Sequence, residues 1–290
     1  MKNIQIMKKL TAIAVMVFGV MSLNAQDETP TVDMQSKRGV AILPQAGDYG
    51  LGVNAAPFLN YIGNTFNNST GNSTSFDFMS SEQMIFGKYF LSDQVALRGS
   101  LRFASNSFAD KNYVNSDAST SPEVFVKDSR TTRSHFYGVS GGIEYRRGEG
   151  RLQGYYGGEM MLGWARNSTH FNYGNEMTST NPTPTTTTDF TSGATAANGN
   201  RLLTETSGNM YMVHARGFVG VEYFFAPRIS IGGEFGWGPG FEFGNDGSAT
   251  TETINAENQR NEITRDVAQG RGFMLDTDNL AGAIRLMFHF

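Results

Sequence analysis

The 290-residue chain contains no cysteine. That absence excludes disulfides, thiolate metal centres and a cysteine-linked lipid anchor. Histidine is scarce as well. His135, His170, His214 and His289 are scattered along the chain, and no two are spaced as a close metal-binding pair. Basic charge is also short, with 23 Lys and Arg against 27 Asp and Glu, which argues against nucleic acid as a partner. Beyond the first 25 residues, no apolar run is long enough to cross a bilayer as a helix. The glycine-rich piece Gly236-Trp237-Gly238-Pro239-Gly240 opens no helix pattern, so it reads as a strand end rather than a phosphate cradle. The expectation is no cofactor, no metal and no catalytic residue. The local Ser-His candidates, Ser134-His135 and Ser168-Thr169-His170, are of a kind that chance readily supplies.

What is present begins with a leader. Lys8 and Lys9 precede an apolar run from Leu10 to Leu23, followed by Asn24-Ala25-Gln26. A basic start, a short apolar stretch and a small residue at the break describe a secretory signal peptide. Cleavage is expected between Ala25 and Gln26. Basic residues then fall from 23 to 20 against 27 acidic, a mature net charge of −7. Residues 26–44 read as a polar N-terminal extension and residues 45–290 as one domain.

The chain is rich in aromatics, with 22 Phe and 11 Tyr, yet its mean hydropathy is only −0.33. The resolution lies in alternation. From Leu280 to Phe290, the set Leu280, Gly282, Ile284, Leu286, Phe288 and Phe290 opposes Ala281, Ala283, Arg285, Met287 and His289. Period-two patterning puts the two sets on opposite faces of a strand. Eleven residues is about what a tilted strand needs to cross hydrocarbon. Similar alternation recurs near Tyr49, Val95, His135, Leu152, Tyr211 and Ile229. Between Phe76 and Phe90 the parity changes, which a bulge near Ser80-Ser81 would reconcile.

The count is eight strands. Tight connections (91–94, 147–151, 226–228) alternate with long ones rich in Asn, Ser, Thr and Gly (63–75, 109–132, 168–208, 244–271). This predicts an all-β, transmembrane, antiparallel up-and-down β-barrel with short periplasmic turns and long extracellular loops. A soluble barrel would alternate too, with its apolar face inside. Charges on the more polar face, Tyr and Trp near strand ends and the terminal aromatic favour the membrane.

At this point the chain resembles small outer-membrane β-barrels of the OmpX and OmpA-transmembrane-domain type, a porin-like group. Its leader resembles those of Bacteroidota. The resemblance spans about Gly39 to Phe290 and rests on architectural features. It implies a bacterial outer-membrane location, contact with outer-membrane lipid and lipopolysaccharide, and recognition of Phe288 and Phe290 by the barrel-assembly machinery. It also implies a structural or surface role through the loops, toward another outer-membrane protein or a host surface. A narrow channel is the alternative; a lipid-modifying barrel enzyme ranks below it. Counting inward positions up from the turns brings Arg98, Arg102, Arg216 and Arg285 near Glu144, Glu159, Glu222 and Glu234. These eight are expected to form an interior charge network.

Overall fold

The computed structural model describes residues 34–54, 85–277 and 283–290. The predicted signal peptide, the Ala25/Gln26 junction and the expected bulge at Ser80-Ser81 lie outside them. The described chain is built of β-strands with no helix. In order they are β1 (Tyr49–Asn54), β2 (Ile85–Ser92), β3 (Val95–Asn115), β4 (Phe125–Arg147), β5 (Leu152–Asn172), β6 (Thr185–Asp189) and β7 (Ala194–Ala197). Then follow β8 (Asn200–Thr206), β9 (Met210–Ala226), β10 (Ile229–Gly244), β11 (Gly247–Ile254), β12 (Arg260–Val267), β13 (Gly272–Thr277) and β14 (Ala283–His289).

Eight of them close a ring. β1 to β5 pair in sequence, β5 pairs β9, β9 pairs β10, β10 pairs β14, and β14 returns to β1, every contact antiparallel. Closure leaves no unpaired edge around the ring. The final residue takes part: the Phe290 and Tyr49 backbones exchange two hydrogen bonds of 2.8 and 2.9 Å.

Alternation sorts the side chains by face. Leu51, Tyr89, Leu97, Leu101, Tyr137, Val139, Leu162, Val221 and Phe288 point outward and are exposed. Lys88, Arg98, Glu144, Arg146, Glu222, Glu234 and His289 point inward and are buried. The ring is therefore apolar outside and charged inside, the reverse of a soluble barrel.

The strand count is a correction. Eight strands form the ring, but there are six more, five of them in stretches read from sequence as loops and β13 just before the final strand. β3, β4 and β5 run to 21, 23 and 21 residues, about 70 Å of strand at 3.3 Å per residue. Beyond the ring they carry a sheet in the order β3-β4-β5-β8-β11-β12. The Thr/Asn/Ser composition suggested turns. Here the β-branched threonines serve as strand residues, as in the pairs Thr250–Thr204 and Thr250–Thr264.

The hairpin β6–β7 is tied against this extension by polar side chains. Asp128, fully buried, accepts hydrogen bonds from the backbone N–H groups of Gly174 and Thr187, both at 2.8 Å. Asn175 donates to the carbonyls of Asn115 and Thr185. Arg201 pairs with Glu252 at 2.5 Å and its guanidinium lies over Tyr173. Burial pushes the Tyr173 hydroxyl up to about 12, and that hydroxyl donates to the Leu202 carbonyl.

At the opposite end, residues 34–48 fold against the short turns. Ile42 is buried and its carbonyl accepts from Arg228 N–H. Gly47 N–H donates to the Phe90 carbonyl, and Asp48 pairs with Arg228 at 3.3 Å.

Candidate functional site

The ring interior is the densest collection of chemistry among the described residues. Each member is set there by strand parity: Lys88 on β2, Arg98 on β3, Glu144 and Arg146 on β4, Glu159 on β5, Arg216 and Glu222 on β9, Ser230 and Glu234 on β10, Arg285 and His289 on β14. Cross-strand register brings them level. Arg98 lies opposite Lys88 on one side and Gly142 on the other, Gly142 opposite Glu159, and Glu159 opposite Arg216.

Two centres result. In the upper one, Glu234 is held by three arginines: Arg98 with two hydrogen bonds of 2.7 and 3.0 Å, Arg216 at 2.7 Å and Arg285 at 3.0 Å. Glu159 adds a second carboxylate, 2.9 Å from Arg216 and 3.1 Å from Arg98. In the lower one, Glu222 contacts Arg146 at 2.8 Å, Lys88 at 3.4 Å and His289 at 3.3 Å, and accepts from the Ser230 hydroxyl at 2.5 Å. Glu144 joins the two, 2.7 Å from Lys88, 3.2 Å from Arg146 and 3.6 Å from Arg98.

Aromatic rings fill the space between. Arg98 stacks 3.8 Å from the Phe218 ring centre, Arg285 4.1 Å from Phe86, and Lys88 4.7 Å from Tyr155. Room for these groups comes from inward glycines. A Cβ at Gly236 would collide with the Arg216 guanidinium, and one at Gly220 with the Tyr155 ring. Breaking one partner of a buried pair costs about 3–5 kcal/mol, because it strands the other charge. A shared network of this kind therefore fixes register as well as occupying the space.

Seven of the eight residues expected in the network meet here: Arg98, Glu144, Glu159, Arg216, Glu222, Glu234 and Arg285. Arg102 is the departure. Two pleats above Arg98, it lies past the network's four carboxylates, and its guanidinium stacks 4.7 Å from the Phe136 ring. Among the described residues no carboxylate pairs with it. In its place come Lys88, Arg146 and His289, which the count left out. All three were readable: Lys88 sits between Phe86 and Phe90 on one face, Arg146 shares parity with Glu144, and His289 opposes the Phe288–Phe290 set. The interior thus holds four carboxylates against five basic side chains rather than four.

The remaining expected residues lie elsewhere. Phe288 and Phe290 point outward, 43% and 63% exposed. His135 Nδ1 is 3.0 Å from Ser105 Oγ, not from Ser134, and His170 Nδ1 is 3.0 Å from Thr204 Oγ1.

No family model and no curated protein matches the chain. Among solved structures it is similar to the outer membrane protein OprG from Pseudomonas aeruginosa, at 10% identity and a TM-score of 0.28, over 86% of this chain and 98% of that one. So loose a likeness defines neither fold nor activity; the strand pairing is what establishes the antiparallel ring.

Proposed function

We propose that the chain is a bacterial outer-membrane β-barrel with a non-enzymatic structural or surface-interaction role, carried by the extension beyond its ring. The observation that supports this most is the inverted polarity of the ring. An exposed apolar face with a buried ionic interior is costly in water and favourable in hydrocarbon. The outward apolar stretch runs from Val95 to Phe103 on β3 and from Tyr137 to Tyr145 on β4, close to the 9–11 residues a tilted strand needs. Above it the outward residues turn polar: Ser105, Ser107 and Lys111 on β3, Lys127, Ser129 and Arg133 on β4. In this reading the short turns and residues 34–48 face the periplasm and the sheet ending in β12 faces outside.

The interior network argues for a closed barrel over a channel, because each carboxylate is engaged by basic groups and aromatic rings fill the gaps. The barrel carries no reaction and needs no cofactor. Its partners are outer-membrane lipid and lipopolysaccharide, the assembly machinery that reads Phe288 and Phe290, and a protein or host surface met by the extension. Planar-bilayer recording of the refolded protein tests the closed reading. The expected result is no steady conductance; a large stable conductance would replace the structural role with a pore.

A further inference from the structure

Above the ion network the interior changes character from charge to sulfur. The cross-strand row Ser100, Ser140, Met161, His214, Gly240 and Met274 follows directly from the register of β3, β4, β5, β9, β10 and β13. Parity puts all six on the inner face. Met212, one pleat above His214, faces the same way and lies opposite Gly163. His214 Nε2 is buried and, among the described residues, has no hydrogen-bond partner. Gly240 lets His214 and Met274 pack onto its backbone: the point where a Cβ would stand is 2.9 Å from His214 Nε2 and 2.8 Å from Met274 Cγ. The space at Gly163 is filled by Met212, whose Cε is 3.3 Å from the corresponding point. This imidazole nitrogen thus shares an inner-face layer with three flexible thioethers, with backbone glycines in place of side chains that would block their approach.

We propose that this layer is a binding site for a soft monovalent cation, Cu(I) or its chemical analogue Ag(I), ligated by His214 Nε2 and the sulfurs of Met161, Met212 and Met274. Thioether and imidazole donors select soft metals, whereas ions that demand carboxylate or carbonyl oxygen find too few of them in this row. The donors are neutral, and the nearest charges are of both signs. Arg216 lies one pleat below His214, Glu242 lies opposite Met212, and Arg102 shares the row of Met212 through Gly138 and Gly163. A single positive charge is therefore easier to accommodate than a divalent ion. Methionine also fills irregular gaps in cores, but gap-filling does not account for an imidazole nitrogen left without a partner, which costs free energy unless something binds it. The site does not depend on whether the ring lies in a membrane.

The test uses the full mature chain in detergent, titrated with silver nitrate, and with Cu(I) in competition with a colorimetric chelator. Native mass spectrometry and methionine-methyl NMR are the readouts. Expected are one Ag(I) per chain and shifts of the Met161, Met212 and Met274 methyl signals. His214→Ala and Met274→Leu are expected to weaken binding by about tenfold or more. Met160→Leu, on the outer face, and Met287→Leu, in the lower interior, are expected to leave it unchanged. Absence of a one-to-one adduct, or one that survives both changes at full affinity, would assign the methionines to packing alone. Should a variant fail to give a heat-modifiable folded band, the wild-type methyl shifts decide. Movement at those three signals supports the site, and movement elsewhere or none overturns it.

Discussion

The ring and the extension above it bury charge in different ways. In the ring, charge meets charge: Glu234 accepts from three arginines, and Glu222 is engaged by Lys88, Arg146, His289 and Ser230. The extension also holds a buried ion pair, Arg201 with Glu252, but there the fully buried Asp128 accepts from two backbone N–H groups, and Asp117 from the Thr185 N–H and the Asn181 amide. The first arrangement locks strands that are far apart in sequence. The second fastens a local hairpin onto a sheet. Removing a group from the ring should therefore cost the whole fold, and removing one from the extension only the hairpin.

The largest effect is expected from Glu234→Ala. It leaves Arg285 without a carboxylate and takes one partner each from Arg98 and Arg216, which keep Glu159, and about 3–5 kcal/mol of global stability should go with it. Unfolding followed by heat-modifiable gel migration in detergent checks this; a loss no larger than that of an exposed Glu→Ala control such as Glu262→Ala would mean the network is hydrated. Next comes Asp128→Ala. Two charge-assisted hydrogen bonds vanish, worth about 1.5–3 kcal/mol each at most. Proteases should then cut residues 173–198 while the ring keeps its melting temperature, and a matching drop in ring stability would erase the contrast between the regions.

Arg102→Ala should cost less, about 0.5–2 kcal/mol, since only its stacking on Phe136 is lost. A loss as large as that of Glu234→Ala would mean that Arg102 belongs to the network. The smallest effect concerns pH. Burial raises the Asp117 carboxyl, but hydrogen bonds from Asn181 and Thr185, with Arg201 nearby, outweigh it and hold the group below its ordinary value. A depressed carboxylate contributes fully above its unfolded pKa and loses that contribution as pH falls through the folded one. Asp117→Asn should therefore loosen the hairpin at neutral pH and differ little from wild type in acid. Equal loosening at both would assign the effect to geometry alone.

The same contrast explains what was legible in the sequence. The ring could be read because one residue in two is constrained by which side it faces. Leu97, Gly99 and Leu101 against Ala96, Arg98 and Ser100 leave little choice of face. Counting heights grouped Arg98 with Glu144, Glu222, Glu234 and Arg285 and set Arg102, Glu159 and Arg216 somewhat higher; the register instead puts Arg98 level with Glu159 and Arg216. Arg146 was missed because it sits where strand gives way to turn, although its parity with Glu144 is plain. The extension could not be read this way. Its strands, such as Gly247–Ile254 and Arg260–Val267, have polar residues on both faces, so alternation vanishes and composition alone suggests loop. What holds them is pairing between threonines and the ion pairs of Glu252 with Arg201 and Arg260, and neither leaves a periodic trace.

The central claim is that the ring's apolar exterior faces lipid while its charges face inward. Because the chain has no cysteine, single cysteines can be placed at will and labelled without background. Nitroxide labels at Leu101, Val139, Leu162 and Val221, on protein reconstituted in lipid vesicles, should be relaxed by oxygen and shielded from a water-soluble nickel complex. A label at Lys127, on the extension, should show the reverse. If the four ring positions were instead as open to the nickel complex as Lys127, the exterior would be wetted and the membrane-spanning reading would be contradicted.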